Sequence, residues 1–377
     1  MLSVHVHSRA NELDPAAWDA LGGDPLSQHA VLRVVEAAGL PGVEMAYATV
    51  ADEAGRLVAA APFSSVAIDG ARLTHGVFRG LIRAARTVRP RFLRTRLMVC
   101  GTPLSVASPP VRMAEGVDAA AVFRVLAHAL ECHGERAGAA WCVFKELAAA
   151  ELPPAQAALD GAGGWLFAPS EPNSLLSIAW DDWDAYLGAL RSDYRYKIRK
   201  ALRAFAAAGG EVDTVTLADG YNEELHGLYE AVLARAPIQF ERLTPQFFLT
   251  LGHALGNRAR LIRFHQGGRV IGWVAVLLAG DRVYDLFHGI DYAANARCAL
   301  YFNQLAAVIR CAIEQGARSL SLGQSTEVAK GRFGAREVPL WIALRHRSRT
   351  VTRGLLAGRQ VLFPGKRIPR HHVFRAG

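Results

Sequence analysis

The five cysteines of this 377-residue chain, Cys100, Cys132, Cys142, Cys298 and Cys311, are scattered, odd in number and never spaced as Cys-x-x-Cys. That pattern argues against a disulfide framework and implies reduced thiols in a cytoplasmic protein. Long apolar runs are missing as well. The most apolar stretch, Ile271 to Ala279, is too short to cross a bilayer, so a soluble chain with no membrane span is expected. Met1 to Asp14 is polar and lacks the apolar segment of an export signal. No HExxH, P-loop or GxSxG motif occurs, which removes the zinc-peptidase, P-loop nucleotide and serine-hydrolase readings. His128 and Cys132 stand four apart with no further ligand nearby, so no metal is expected.

What the chain does have is an ordinary globular composition, 51% hydrophobic and 20% charged, and a length that suits two domains. Its formal charge of +9 favours anionic partners such as phosphates, CoA, nucleotides or RNA, although arginine-rich usage is equally consistent with compositional bias. Seven arginines crowd one stretch (Arg79, Arg83, Arg86, Arg89, Arg91, Arg94 and Arg96), and the first three share a helical face. Few aromatics interleave them, so they read as an anion-binding patch rather than a base-stacking platform.

Order along the chain repeats once. Tyr47 to Val50, a turn at Asp52 to Gly55, Arg56 to Phe63, and Val66 to Ile68 turned at Asp69-Gly70 read as a meander of strands. Val122 to Gly134 then reads as an apolar helix and Trp141 to Phe144 as a short buried strand. The later half matches: strands at Arg260 to Phe264, Arg269 to Leu278 and Arg282 to Gly289, a helix from Ala299 to Gly316, and a strand at Ser319 to Leu322. The boundaries expected are an N-terminal domain over 1–150, a linker rich in Ala, Gly and Pro over 151–173, a C-terminal domain over 174–350 and a basic tail over 351–377.

Ser192 to Gly210 predicts a helix. Ser192 suits its cap, and Tyr194, Ile198, Leu202 and Phe205 recur on its core face. Arg195, Arg199 and Arg203 line another face and form a possible site for RNA or CoA phosphates, or merely a solvated one. This segment, with the run that ends Gly323, Lys330, Phe333-Gly334 and Pro339-Leu340-Trp341, resembles FemAB-like proteins and related GNAT domains. The resemblance implies an α+β protein of two tandem GNAT-like domains, each a mixed twisted sheet flanked by helices, the first degenerate and the second catalytic. It further implies an N-acyltransferase that moves an acyl or aminoacyl group to an amine on a small metabolite, peptide or envelope precursor. The donor would be acyl-CoA or aminoacyl-tRNA, bound as a co-substrate with no tightly held cofactor. Three departures stand out: Gln324 replaces the usual Arg, Ala329 replaces the usual Phe, and Asp291 to Arg297 lacks the glycines of the pyrophosphate loop in simple acetyl-CoA enzymes. A non-catalytic RNA-binding or scaffold protein on a degenerate transferase fold is the open alternative.

Acyl transfer needs donors aimed at a carbonyl oxygen, a group that takes the amine's proton, and positive charge for a phosphate-bearing carrier. The strand Arg282 to Asp291 is the expected location. Strict alternation puts Tyr284, Leu286 and His288 on one face and Asp285 and Phe287 on the other. His288, Asp285 and Tyr284 are the catalytic candidates, and Gly289 is expected to admit the donor close to the backbone. Lys330 and Arg297 are expected to hold donor phosphate, with Tyr301, Asn303 and Gln324 lining the cleft.

Overall fold

The computed structural model describes residues 2–69, 80, 84–87, 94–160, 164–236, 242–363 and 371–375. The chain folds as two compact units, Met1–Ser170 with Pro237–Arg242 and Pro339–Gly365, and Glu171–Ala236 with Leu243–Val338 and Lys366–Gly377.

In the first unit β1 (Ser3–His7), β2 (Val43–Ala51), β3 (Leu57–Asp69), β4 (Arg94–Cys100), β6 (Trp141–Leu147), β15 (Trp341–His346) and β7 (Leu166–Pro169) follow one another across a sheet, and β5 (Arg112–Met113) pairs with β3. Among the described residues of this sheet only β4 and β6 run parallel. A parallel pair needs a long crossover, supplied by a helix whose residues Val122, Phe123, Leu126 and Leu130 are fully buried. We number the longer helices α1 (His29–Ala37), α2 (Ala119–Arg136) and α3 (Leu152–Leu159). Small alternating residues, Ala46, Ala48, Ala59 and Ala61, let α2 lie close to the sheet.

Three expectations change here. Val66 to Ile68 is no separate strand but the continuation of β3. The stretch expected as a linker holds α3 and β7: prolines are tolerated in a helix's first turn, alanines favour its interior, and Trp165 and Leu166 are buried in the core. Trp341–His346, placed in the later domain by sequence, closes the first sheet between β6 and β7, because that edge offers two unpaired partners.

The second unit contains β8 (Asn173–Ser177), α4 (Trp183–Ala189), α5 (Ser192–Ala207), β9 (Gly210–Thr216), α6 (Glu223–Leu233), α7 (Pro245–Leu255), β10 (Ala259–Gln266), β11 (Arg269–Ala279), β12 (Arg282–Ile290), α8 (Tyr292–Cys298), α9 (Leu300–Glu314), β13 (Ser319–Ser321), α10 (Glu327–Gly331) and β14 (Arg336–Val338). Its sheet runs β14-β8-β13-β12-β11-β10-β9. Here too one pair is parallel, β12 with β13, joined across α9. The two units therefore repeat the same meander, crossover helix and parallel strand, as the sequence pattern implied. Gly267 and Gly268, with φ of 57° and 75°, form the tight β10–β11 turn that a right-twisted hairpin requires.

α9 packs Leu305, Ile309 and Ala312 onto Val274, Val276, Ile262 and Ile290 of one sheet face. The opposite face carries an aromatic cluster in which Phe247 and Phe248 of α7 meet Trp273 and Phe287 edge-on. Arg191, not Ser192, occupies the N-cap of α5. The end of the basic tail packs within this unit: Val373 is 2% exposed, the Phe374 ring lies 5.0 Å from that of Trp180, and Val373 O accepts from Arg191 N. Two apolar residues inside a basic tail suffice to bury it locally. Lys366, Arg367 and Arg370 lie outside the described residues. Among the described residues no helix is long and apolar enough to cross a membrane.

Candidate active site

β12 and β13 part company early. Their pairing ends at Tyr284 opposite Ser321, whereas β12 stays paired with β11 as far as Ile290. From Asp285 onward, the β13-facing edge of β12 has no strand partner among the described residues. Gly323, just beyond β13, turns at φ 69°, and a Cβ on it would stand 3.6 Å from Asp285 O. Neighbouring strands therefore part near His288.

Next to it β12 carries a bulge. Ala275 pairs with Phe287 but Val276 pairs with Asp285, so Leu286 is an extra residue without a partner on β11. This corrects the strict alternation expected from sequence. One inserted residue inverts the faces beyond it, and Asp285 and His288 land together on the α9 side. His288 Nε2 lies 3.0 Å from Asp285 Oδ2 and 2.9 Å from Oδ1. Tyr284 falls on the other face and is buried at 3% exposure, away from the pair.

The ring's second nitrogen is fixed by a residue that sequence reading overlooked. Gln304 of α9, fully buried, donates from Nε2 to Gly289 O at 2.9 Å and Trp273 O at 3.2 Å. Those acceptors orient its amide, so Oε1 is the atom that faces His288 Nδ1 at 3.2 Å. Both ring nitrogens thus face oxygen atoms, so the ring is held from two sides. Asp285 Oδ1 is buried and makes no hydrogen bond of its own. The available signal was a polar pair, Asn303-Gln304, inside an otherwise apolar helical stripe.

Tyr301 brings its ring to 5.6 Å from that of His288, and its hydroxyl meets Thr326 Oγ1 at 2.6 Å. Burial pushes this phenol's pKa up, so it stays protonated. Thr326 and Ser325 both have positive φ, 52° and 62°, a strained conformation for side chains with a Cβ. Lys330 holds this turn. Its Nζ donates to Gly323 O at 3.2 Å and Gln324 O at 2.7 Å. At 3% exposure it does not reach open water. Burial pulls its pKa down to about 8, against the pull of Asp285, Glu327 and Glu337. Lys330 therefore braces the loop where the strands part and is not presented to a phosphate. Gln324 is tied to Glu171 O at 2.8 Å.

Two further candidates have structural roles. Asn303 is buried and donates to Ala201 O, Cys298 O and Ala299 O, closing the break that the left-handed Ala299 (φ 52°) makes between α8 and α9. Gly289 is small because Trp273 crosses it, not because a ligand does: a Cβ there would lie 2.0 Å from Trp273 Nε1, which already donates to Leu225 O at 2.8 Å. Gly289→Ala is expected to cost about 3 kcal/mol, a fall of roughly 6–12 °C in melting temperature by calorimetry. An unshifted transition would mean that Trp273 repacks freely.

Arg297 sits exposed in the last turn of α8, ahead of α9 rather than at its start. The helix termini beside it are already capped by the chain itself. Asp291 Oδ1 accepts from Ala293 N and Ala294 N, while its Oδ2 accepts from Arg269 at 2.6 Å. Asn295 Oδ1 accepts from Tyr301 N at 2.8 Å. The amide groups that a CoA diphosphate would need are thus taken by a carboxylate and a carboxamide, so the residues present do not fit that group at this terminus.

The arginine stripe lies apart from this cluster. Arg195 donates to Leu187 O, Gly188 O and Leu190 O at the end of α4. Arg199 and Arg203 are exposed, and with Arg195 and Tyr196 they line an open groove between α4 and α5. Arg79 and Arg83 lie outside the described residues; Arg86 is described and half-buried.

Two units that each join one parallel strand pair across a helix form a tandem GNAT fold. Residues 192–331, within the second unit, match the family described as the acetyltransferase (GNAT) domain. The fold is similar to that of FemX (13% identity, 90% of this chain and 96% of that one, TM-score 0.55). It is similar also to a tandem GNAT protein from the clavulanic acid biosynthesis pathway (11% identity, 92% and 99% covered, TM-score 0.53). A third likeness is to the C-terminal domain of a protein assigned as a lysylphosphatidylglycerol synthetase from Agrobacterium fabrum (12% identity, 96% and 100% covered, TM-score 0.53). At these identities the likeness is one of fold. No curated protein sequence matches the chain.

Proposed function

We propose that the protein transfers an acyl or aminoacyl group from an activated carrier to an amine at the open edge of β12. The observation that carries this reading is the Asp285–His288 pair, placed where β12 loses its β13 partner. A carbonyl laid along that edge would meet backbone groups that no strand uses, which is the arrangement that stabilises a developing oxyanion. The amine nitrogen attacks the carbonyl carbon, the carrier's oxygen or sulfur leaves with the bonding pair, and the new amide sheds one proton. The pair begins and ends with the same proton count, giving one proton to the leaving atom and recovering one from nitrogen. Gln304 keeps the ring oriented, and Lys330 keeps the opposing loop in place.

Of the two carriers that the family resemblance implies, aminoacyl-tRNA is the better supported. The capped termini of α8 and α9 leave no diphosphate seat there. Arg297 and the α5 stripe supply cations suited to a polyanion. The acceptor is a primary amine of a small metabolite, peptide or envelope precursor, and the site of action is the cytoplasm.

Native mass spectrometry with acetyl-CoA and charged tRNA offered separately tests this. The expected result is a salt-sensitive tRNA complex, no acetyl-CoA complex, and a new amide when a panel of amines is added. Tight acetyl-CoA binding would overturn the choice of carrier. A tRNA complex that acylates no amine would favour a binding or scaffold role on a transferase fold.

A further inference from the structure

On the α9 face of the second sheet, away from His288, α5 and α9 diverge above the outer strands β9 and β10. They leave a half-open cavity of about 470 Å³, within the range of small-molecule sites. Its floor is apolar: Ile262 and Phe264 of β10 are buried, with Phe205 of α5 beside them. Ala306 and Ala307 keep the α9 wall low. Because side chains alternate along a strand, Arg260 stands on the same face as Ile262 and Phe264, at the mouth of the cavity. Arg260 is half-buried, and its side chain makes no hydrogen bond or ion pair among the described residues. Arg310 flanks the same mouth with its guanidinium 4.9 Å from the Trp183 ring, so two cations face a single acid there, Glu314.

We propose that this cavity binds an anionic amphiphile: a carboxylate head at Arg260 with an aliphatic chain over Ile262, Phe264 and Phe205. A guanidinium partly withdrawn from water beside an apolar floor, with no hydrogen-bond partner for its side chain, is met by an arriving carboxylate through a charge-assisted bidentate contact. The chain is driven in by burial of its own apolar surface, and Val212 on the outer strand, 49% exposed, would be covered by it. Cys311 in the wall does not oppose an anion, since burial pushes its thiol up to about 11 and keeps it neutral. The proposal stands apart from the transfer reaction, since it is read by binding alone.

Isothermal titration of the full chain with octanoate, and separately with 1-octanol, tests both halves of the site. The wild type is expected to bind octanoate more tightly than octanol. Arg260→Gln should weaken octanoate about tenfold and leave octanol unchanged, while Arg260→Lys restores part of the loss. Ala307→Phe, which fills the cavity, should weaken both ligands. Absence of octanoate binding to the wild type would overturn the proposal, as would equal octanoate affinity in Arg260→Gln and wild type. The comparison of glutamine with lysine at position 260 decides the matter even if Ala307→Phe fails to fold.

Discussion

Asp285→Asn is expected to lower the rate of amide formation by about 10²–10³-fold while the protein remains folded. The substitution keeps the shape of a side chain that is 1% exposed and changes only its charge. With an amide at 285, the ring loses its carboxylate partner at Nε2 and with it the proton exchange the reaction needs, whereas Nδ1 stays beside Gln304. Single-turnover assays on the tRNA-borne donor, with circular dichroism to confirm folding, provide the measurement. Undiminished turnover would remove the pair from the chemistry and leave the open strand edge as its only basis.

The second large effect is one of stability and comes from Lys330. Folding lowers its pKa from 10.5 to about 8 through burial. Between those two values the unfolded chain holds the proton and the folded one does not. Stability therefore rises with pH across that window. The cost of the buried ammonium is present in full below pH 8 and is gone above pH 10.5. Lys330→Met has no such group, so wild type should gain roughly 3 kcal/mol on the variant from pH 7.5 to 10.5. Urea denaturation of both proteins through that range measures the difference, in which titrations common to both cancel. Parallel curves would show that the ammonium is solvated in the folded state. At neutral pH the variant also leaves Gly323 O and Gln324 O without their donor, which loosens the strained turn at Ser325-Thr326.

Much of the frame was legible in the amino acids. The hairpin β10–β11 follows from its Gly-Gly turn and flanking apolar runs, and α9 from its apolar stripe with a glycine stop. The likeness between the two halves reflects the same meander and crossover folded twice. Less of the candidate site could be read. His288 and Asp285 were named, yet alternation set them on opposite faces, because the bulge at Leu286 leaves no mark in local composition. Lys330 reads from sequence as a holder of donor phosphate, whereas its ammonium is buried on Gly323 O and Gln324 O. A lone lysine near a strand end reads as a surface cation until its burial is known. Gln304 went unread because its importance lies in three partners, Trp273, Gly289 and His288, each far from it in sequence.

The sequence by itself determined the two-fold repeat, the core stripes of α5 and α9, and the identity of β12 as the strand that bears polar groups. These follow from local periodicity and turn chemistry, which neighbouring residues set among themselves. Tertiary structure alone decided that β13 stops at Ser321, that a single extra residue turns Asp285 toward His288, and that the strand Trp341–His346 joins the first sheet. Each of those depends on which backbone edge finds a partner, a contest between segments distant along the chain that no local pattern records.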